Sequence, residues 1–336
     1  MSRADIILHK MPAWQKKALL GLLFLFLLIL PQIYPKSYAM GVMCRIFMYT
    51  ILAGSLNVIN GYSGQFNIGH AGFYCVGAYS EAILATRFGM SFWFALPLSG
   101  FVAAFIGFLV SLPTLRLKGI YLAIVTLGSS EIIRLLFLNG GDFTGGPIGI
   151  KNIPSPYIGS FKISKSVDFY YIFLFLAVLF SLLTFRIIKS RVGRAWVSIR
   201  EDELAAKSLG VETRFFKATN FMYGAFWAGI AGAAFAPYFK FISSDMFTLD
   251  EGFNILSMVI IGGQGTLIGP VVGSIIVNFL TEFLRPISQF RLVVYALLII
   301  IMMWIRPQGL VGASNSILAA GRIRFRSRKK SAGGAK

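Results

Sequence analysis

Arg45, His70, Glu81, Glu131, Arg134 and Glu282 all stand inside long apolar stretches of this chain. A charge in an apolar medium is costly, so each such side chain needs a partner or a task. Glu131 and Arg134 are three residues apart, a spacing that brings two side chains together on one helix, and an ion pair near a membrane edge is expected. Arg45 and Glu81 could partner across helices. His70 lies in Gly69-His70-Ala71-Gly72 and reads as a hydrogen-bonded packing histidine, because a proton relay needs titratable neighbours and the one other histidine is His9. With 2 His and 2 Cys, a typical zinc site cannot be built without carboxylates, and no metal site is expected. Cys44 and Cys75 read as small apolar residues. The chain has no His-Glu-x-x-His, no Gly-x-Ser-x-Gly and no Gly-Lys dipeptide. It therefore lacks a phosphate-cradling P-loop, and no catalytic residue or bound cofactor is assigned to it.

A different chemistry is suggested by Gly193-Arg-Ala-Trp-Val-Ser-Ile-Arg-Glu-Asp-Glu-Leu-Ala-Ala-Lys-Ser-Leu-Gly210. Asp202 can cap a short surface helix and Gly210 can end it. Ala205, Ala206 and Leu209 then form a small apolar face flanked by charge, suited to a groove on a soluble partner. Ala205 and Ala206 are expected to be small because that partner approaches closely there.

The elements that hold these residues follow from composition. The chain has 336 residues, 56% of them hydrophobic and 13% charged, with 32 Lys+Arg against 13 Asp+Glu. Mean hydropathy is +0.73. These values exclude a disordered chain and a disulfide-built domain, and they disfavour a soluble enzyme. Apolar blocks run over 18–33, 39–59, 67–86, 92–113, 119–138, 169–187, 217–238, 253–263, 266–284 and 291–305. The predicted fold class is all-α: a polytopic membrane helix bundle of about 8–10 transmembrane segments with broken or re-entrant elements. The 253–263 block is too short for a straight span and reads as half of a broken element. The first block is taken as an uncleaved span, the alternative being a signal peptide with a weak cleavage site at Ser37-Tyr38-Ala39.

The net charge of +19 is clustered between blocks, as in a membrane protein, and no nucleic-acid role is expected. With the N-terminus inside and strict alternation, Arg116 and Lys118, the loop 188–216 and the basic tail all fall inside. The tail, with Arg322, can meet membrane lipid. The Gly- and Pro-rich segment 139–167 falls outside, and a cysteine at Ser155 is expected to be reachable there. So does 239–252. The expected organisation is a cytosolic N-terminus at 1–17, a transmembrane domain at 18–312 and a cytosolic tail at 313–336. Small residues at four-residue spacing mark helix contacts in lipid. Gly224, Ala228, Gly232 and Ala236 form one ladder, Ala225, Gly229 and Ala233 a second, and Gly265, Gly269 and Gly273 a third.

Several ordered strings carry a resemblance. They are Gly61-Tyr-Ser-Gly-Gln-Phe-Asn-Ile-Gly-His-Ala-Gly72, Leu115-Arg-Leu-Lys-Gly-Ile-Tyr-Leu-Ala-Ile-Val-Thr-Leu127 and Thr144-Gly-Gly-Pro-Ile-Gly149, then Gly193-Arg-Ala and Ile199-Arg-Glu-Asp-Glu-Leu-Ala-Ala206, then Gly262-Gly-Gln-Gly-Thr-Leu-Ile-Gly-Pro270 and Arg306-Pro-Gln-Gly-Leu310. In order and spacing the chain resembles the membrane permeases of branched-chain amino acid ABC importers, of the LivM type. The resemblance implies a bacterial inner-membrane subunit with both termini cytosolic. It implies a homologous LivH-type permease, two cytosolic ATPase subunits that carry the ATP and Mg, and a periplasmic substrate-binding protein. It implies ATPase docking through Gly193, Arg194, Arg200, Glu201, Asp202, Glu203, Ala205, Ala206 and Gly210. This segment departs from the older "EAA" pattern by one residue between Glu203 and Ala205. Candidates for the pathway or gate are Gly64, Gln65, Asn67, His70, Thr144, Gly145, Gly146, Pro147, Gly263, Gln264, Gly265 and Thr266. The same architecture also serves urea, amides and other small neutral substrates. A self-contained channel or secondary transporter is the rival class, and it has no need of the 188–216 loop.

Overall fold

The computed structural model describes residues 21, 25–33, 36–159, 161–284, 291–306 and 308–311, less the side chains of 161, 291, 292 and 303. The expected 1–17 and 313–336 segments, Arg322 included, lie outside the described residues.

Among the described residues, four helical stretches are long and apolar enough to cross a membrane. The first joins α1 (Ser37–Asn57) to a π-helical turn at Val58–Tyr62. Its most apolar window is 78% buried, against 28% for α4 (Ile120–Leu138). α1 therefore runs through the bundle centre, while α4 and α3 (Phe92–Thr114) lie at its edge. Phe101, Phe105, Ile124 and Leu136 point outward from these edge helices. Without water to exclude, an exposed apolar face of this kind suits lipid. α5 (Ser166–Lys189) is the fourth such helix and packs on α1.

The helix that organises the bundle is α8 (Thr213–Phe239), packed on α1, α3 and α2 (His70–Arg87). Its small residues do what the spacing predicted. A Cβ at Gly232 would fall 2.3 Å from the Tyr74 carbonyl oxygen, and one at Gly77 would fall 2.1 Å from that of Gly229. On the neighbouring ladder, a Cβ at Gly229 would meet that of Ala103 at 2.4 Å. Backbones this close gain dispersion contacts that larger residues would block.

The third ladder departs from expectation. Gly269 and Gly273 belong to α10 (Gly269–Phe283), where they pack on α9 (Leu249–Gly262). Gly265 instead lies in the turn between these helices, at φ +73°. The 266–284 block is thus not one straight span. Its helix has 15 residues and α9 has 14, so each is only about 21–23 Å long at 1.5 Å per residue, short of a hydrocarbon core of about 30 Å. They form an antiparallel pair, and the broken element foreseen at 253–263 has two halves. α11 (Arg291–Ile305) packs on α9. Beyond it the Leu310 and Val311 N–H groups donate to the Ile261 and Gly262 carbonyls, both at 3.0 Å.

The bundle has two chemically distinct ends. At one, α5 turns at Ser190 into α6 (Arg191–Glu201) and α7 (Glu203–Ser208); this is the loop end. The far end carries β1 (Ile150–Lys151), a hairpin of β2 (Tyr157–Ile158) with β3 (Phe161–Lys162), and β4 (Phe241–Ile242), which pairs antiparallel with β1. Segment 139–167 and segment 239–248 therefore form one lid. Ser155 is buried in it, contrary to expectation, because its neighbours Ile153 and Ile163 turn into the core; Ser164 is exposed.

Candidate functional site

At the loop end α1 does not stop at a cap. It widens into the π turn and then continues as irregular backbone to His70. Asn57 sutures this segment to the α9–α10 turn: its Oδ1 accepts the Gly265 N–H at 2.8 Å, and its Nδ2 donates to the Thr266 carbonyl at 2.7 Å. Gly61 must lack a side chain, since a Cβ there would lie 2.3 Å from the Gly265 nitrogen. The Thr266 hydroxyl donates to the Gly263 carbonyl and accepts the Gly269 N–H, both at 3.0 Å, closing the turn. Gln264 is exposed at its tip.

Gln65 is buried and donates to Ser63 Oγ at 2.8 Å and to the Asn220 side chain at 3.3 Å. Asn220 in turn donates to the Val58 carbonyl at 3.1 Å. Asn67 is held by Asn60 through its backbone, while its own buried amide has no partner among the described residues. His70 Nε2 lies 2.8 Å from Ser55 Oγ. Ser55 donates its one hydroxyl proton to the Leu52 carbonyl, so His70 is the donor, and its buried Nδ1 has no partner among the described residues. That arrangement fits the packing role.

The loop is built as a bracket on this cluster. Ser190 Oγ accepts the Val192 N–H and starts α6. Gly193 allows the tight turn, because a Cβ would lie 2.3 Å from the Ile188 carbonyl oxygen. Trp196 is buried and its indole donates to the Phe216 carbonyl at 2.9 Å. Arg194 reaches back to the Lys189 carbonyl. Arg200 turns toward the bundle: Nη1 donates to the Gly61 carbonyl at 2.6 Å, Nη2 pairs with Glu201, and its stem covers Gly64. Asp202 Oδ1 accepts the Leu204 and Ala205 N–H groups at 2.9 and 3.0 Å, the expected cap. Gly210, at φ +83°, ends the turn.

Glu203 is the clamp. Its carboxylate lies 2.5 Å from Lys217 on α8 and 2.8 Å from Lys118 before α4. Burial pushes its pKa up, but the hydrogen bonds and charges of the two ammonium groups outweigh that and hold it below the usual carboxylate range. Gly64, Gln65, Arg200, Glu203, Lys118 and Lys217 line one pocket of about 220 Å³. Ala206, at 2% exposure, packs inward and its carbonyl accepts the Val211 N–H. The outward apolar residues are Leu204 at 73% and Leu209 at 85% exposure. Of the face expected from Ala205, Ala206 and Leu209, Ala205 and Leu209 are exposed and Ala206 is corrected: a six-residue helix capped by Asp202 turns Ala206 onto its own support and Leu204 away from it.

The candidate residues thus fall into two groups. Gly64, Gln65, Asn67, His70, Gly263, Gln264, Gly265 and Thr266 gather at the loop end. Thr144, Gly145, Gly146 and Pro147 lie in the far-end lid, where Thr144 Oγ1 donates to the Phe137 carbonyl and Gly149 abuts Ile242. The Glu131–Arg134 pair forms as spaced, at 2.6 Å, and Arg134 also reaches Asp245 of the lid at 3.5 Å. The Arg45–Glu81 pairing does not form. Arg45 pairs instead with Glu282 of α10 at 2.9 Å, because α10 and not α2 lies beside that turn of α1.

Over residues 38–304 the chain matches the family described as the branched-chain amino acid transport system permease component. The chain belongs to this family. It is 37% identical over 311 residues to the high-affinity branched-chain amino acid transport system permease protein LivM of Escherichia coli (strain K12), covering 85% of this chain and 73% of that one. It is 36% identical to the protein of that name from Salmonella typhimurium, over 86% and 74% of the two chains. It is 26% identical to the E. coli permease protein LivH, over 79% of this chain and 91% of LivH. No solved structure gives a significant match.

Four of the strings that carry the resemblance meet in space at the loop end, where the 61–72, 115–119, 199–206 and 262–270 segments share one pocket or its wall. Sequence reasoning missed Asn57, Lys118, Lys217 and Asn220 as members of this cluster. Asn57 and Asn220 carry a signal that could have found them: each is an amide inside an apolar block, which must find a partner.

Proposed function

We propose that this chain is a membrane-spanning permease subunit of an ATP-driven importer of branched-chain amino acids. It forms the translocation pathway with a second, LivH-like permease. ATP and Mg are handled by two separate ATPase chains at the loop end, and a periplasmic binding protein delivers substrate at the far end. On this reading the loop end and both termini are cytosolic, and the chain resides in a bacterial inner membrane. Membership of the family supports the transport role.

The observation that carries the docking assignment is the presentation of Leu204 and Leu209. Two large apolar side chains, Leu204 on α7 and Leu209 at its C-terminal cap, stand exposed on a loop that is fixed from behind by the Glu203 clamp on α7 and by Trp196 on α6. Anchors of this kind on a rigid support are what a soluble partner's groove can take up. A self-contained carrier has no use for them. Ala206→Glu would test the folding of the loop, since Ala206 is buried in it. Leu209→Glu is the proper test: it should leave the permease at normal level in the membrane and remove co-purification of the ATPases and uptake of leucine. Retention of both would show that this helix is not the docking element.

Orientation has its own check. A cysteine in place of exposed Ser164 should react with an impermeant thiol reagent added to intact spheroplasts. Labelling that needs prior permeabilisation would invert the assignment of the two ends.

A further inference from the structure

Between α1, α2, α8 and α9 lies a cavity of about 200 Å³. Its lining combines one fixed positive and one negative side chain, Arg45 and Glu251, with the aromatic rings of Tyr49, Tyr74 and Phe235 and the thioether of Met246. Arg45 stands roughly two turns into α1 from the far end. It also lines, with Tyr238 and Phe239, a second cavity of about 430 Å³ bounded by Ser37, Tyr38 and Ser166 at that end. The smaller space therefore has a vestibule on the side from which substrate is delivered.

We infer that the 200 Å³ cavity is a transient binding site for one zwitterionic amino acid with an apolar side chain. The inference rests on the permease reading above and adds to it a place where the substrate is held. The chemistry matches group by group. A guanidinium offers planar donors to a carboxylate, and Arg45 commits Nη2 to Glu282 while presenting its side chain to the cavity wall. Glu251 supplies an acceptor for the substrate's ammonium. Glu251 stands in the first turn of α9, takes a long hydrogen bond of 3.4 Å from Asn254 and meets the Tyr49 hydroxyl of α1, so it is positioned at the cavity wall from two helices. The rings and the thioether give a shaped but adaptable apolar wall for a branched aliphatic chain. A zwitterion crossing a membrane must shed water from both charges, and a cation and an anion lining one cavity offset part of that cost. An amide or urea brings neither a carboxylate to Arg45 nor an ammonium to Glu251. The cavity thus favours the amino acid over the other small neutral solutes.

The test uses the assembled importer in proteoliposomes without the binding protein. Met246→Cys, or Met48→Cys if the first variant does not assemble, is labelled with methyl methanethiosulfonate. Saturating leucine should slow labelling roughly tenfold, a difference of about 1.4 kcal/mol. Leucinamide and 4-methylpentanoate each lack one of the two charges and should protect far less. Glu251→Gln in the same background should lose protection, and Asp250→Asn, its exposed neighbour, should keep it. Equal labelling with and without leucine, in an importer that transports leucine, would overturn the cavity site and leave the permease reading intact. Equal protection by 4-methylpentanoate would overturn it as well. If the importer with its binding protein carries a different solute class in place of leucine, the substrate reading fails, and with it the ligand assigned here.

Discussion

In the proposed importer, Arg200→Ala should abolish most leucine uptake while the permease still folds and still binds the ATPase chains. Arg200 reaches from the loop to the backbone of the π turn that continues α1, through Nη1 and the Gly61 carbonyl at 2.6 Å. It also packs against Gly64 and Gly265, so it touches both turns of the loop-end cluster. A hydrogen bond from a charged donor contributes about 1.5–3 kcal/mol, and losing it should cut the coupled rate by roughly tenfold or more. Folding should survive, because Trp196, the Asp202 cap and the Glu203 clamp hold the loop independently. Docking should survive, because Leu204 and Leu209 face the other way. The measurement is ATP hydrolysis stimulated by the binding protein, taken beside leucine uptake. Uptake should fall more than hydrolysis, since the loop would move without pulling on the turn at Gly61–Gly64. Arg200→Lys should recover only part, because an ammonium cannot reproduce the guanidinium fork to Gly61 and Glu201. Equal uptake by the alanine variant and the parent would show that this contact does not transmit the ATPase stroke.

The helix content and the packing face of α8 were legible in the sequence because they depend on local period: apolar blocks of membrane length, and small residues every fourth position. The Asp202 cap and the Glu131–Arg134 pair were legible for the same reason. Partners chosen by three-dimensional register were not. Glu203 could not be matched to Lys118 and Lys217 from spacing, because those residues come from the starts of two different membrane helices. Arg45 could not be matched to Glu282 until α10 was placed beside α1. The face of α7 was misread because six residues make less than two turns, too few for a period to declare which side is covered. The Gly265 rung was misread because a Gly-rich string can be a ladder or a turn. Here Asn57 captures the Gly265 N–H and decides for the turn.

Gly229→Val should produce the largest loss of stability. Gly229 lies where α8, α2 and α3 meet: its Cβ would lie 2.4 Å from that of Ala103 and 3.1 Å from the Ser99 carbonyl oxygen. On its other side the backbone at Gly77 already approaches so closely that no side chain fits there. α8 cannot retreat, because Gly224 rests against Ile59 of the π turn. Overpacking of this kind costs about 1–3 kcal/mol, or a fall of roughly 5 °C in the melting temperature of the purified protein in detergent. Gly128→Ala on α4 is the matched control. A Cβ there meets nothing within 4 Å, and replacing a mid-helix glycine should be neutral or stabilise by about 0.5–1 kcal/mol. Melting of Gly229→Val at the parent temperature would mean that the α2–α3–α8 contact yields freely. The prediction reaches beyond stability, because α8 also carries Lys217 and Asn220 at its loop end and Phe235 at the proposed cavity. A helix pushed off its ladder would shift the Glu203 clamp and the cavity wall together, so one substitution at the crossing should disturb both ends of the bundle.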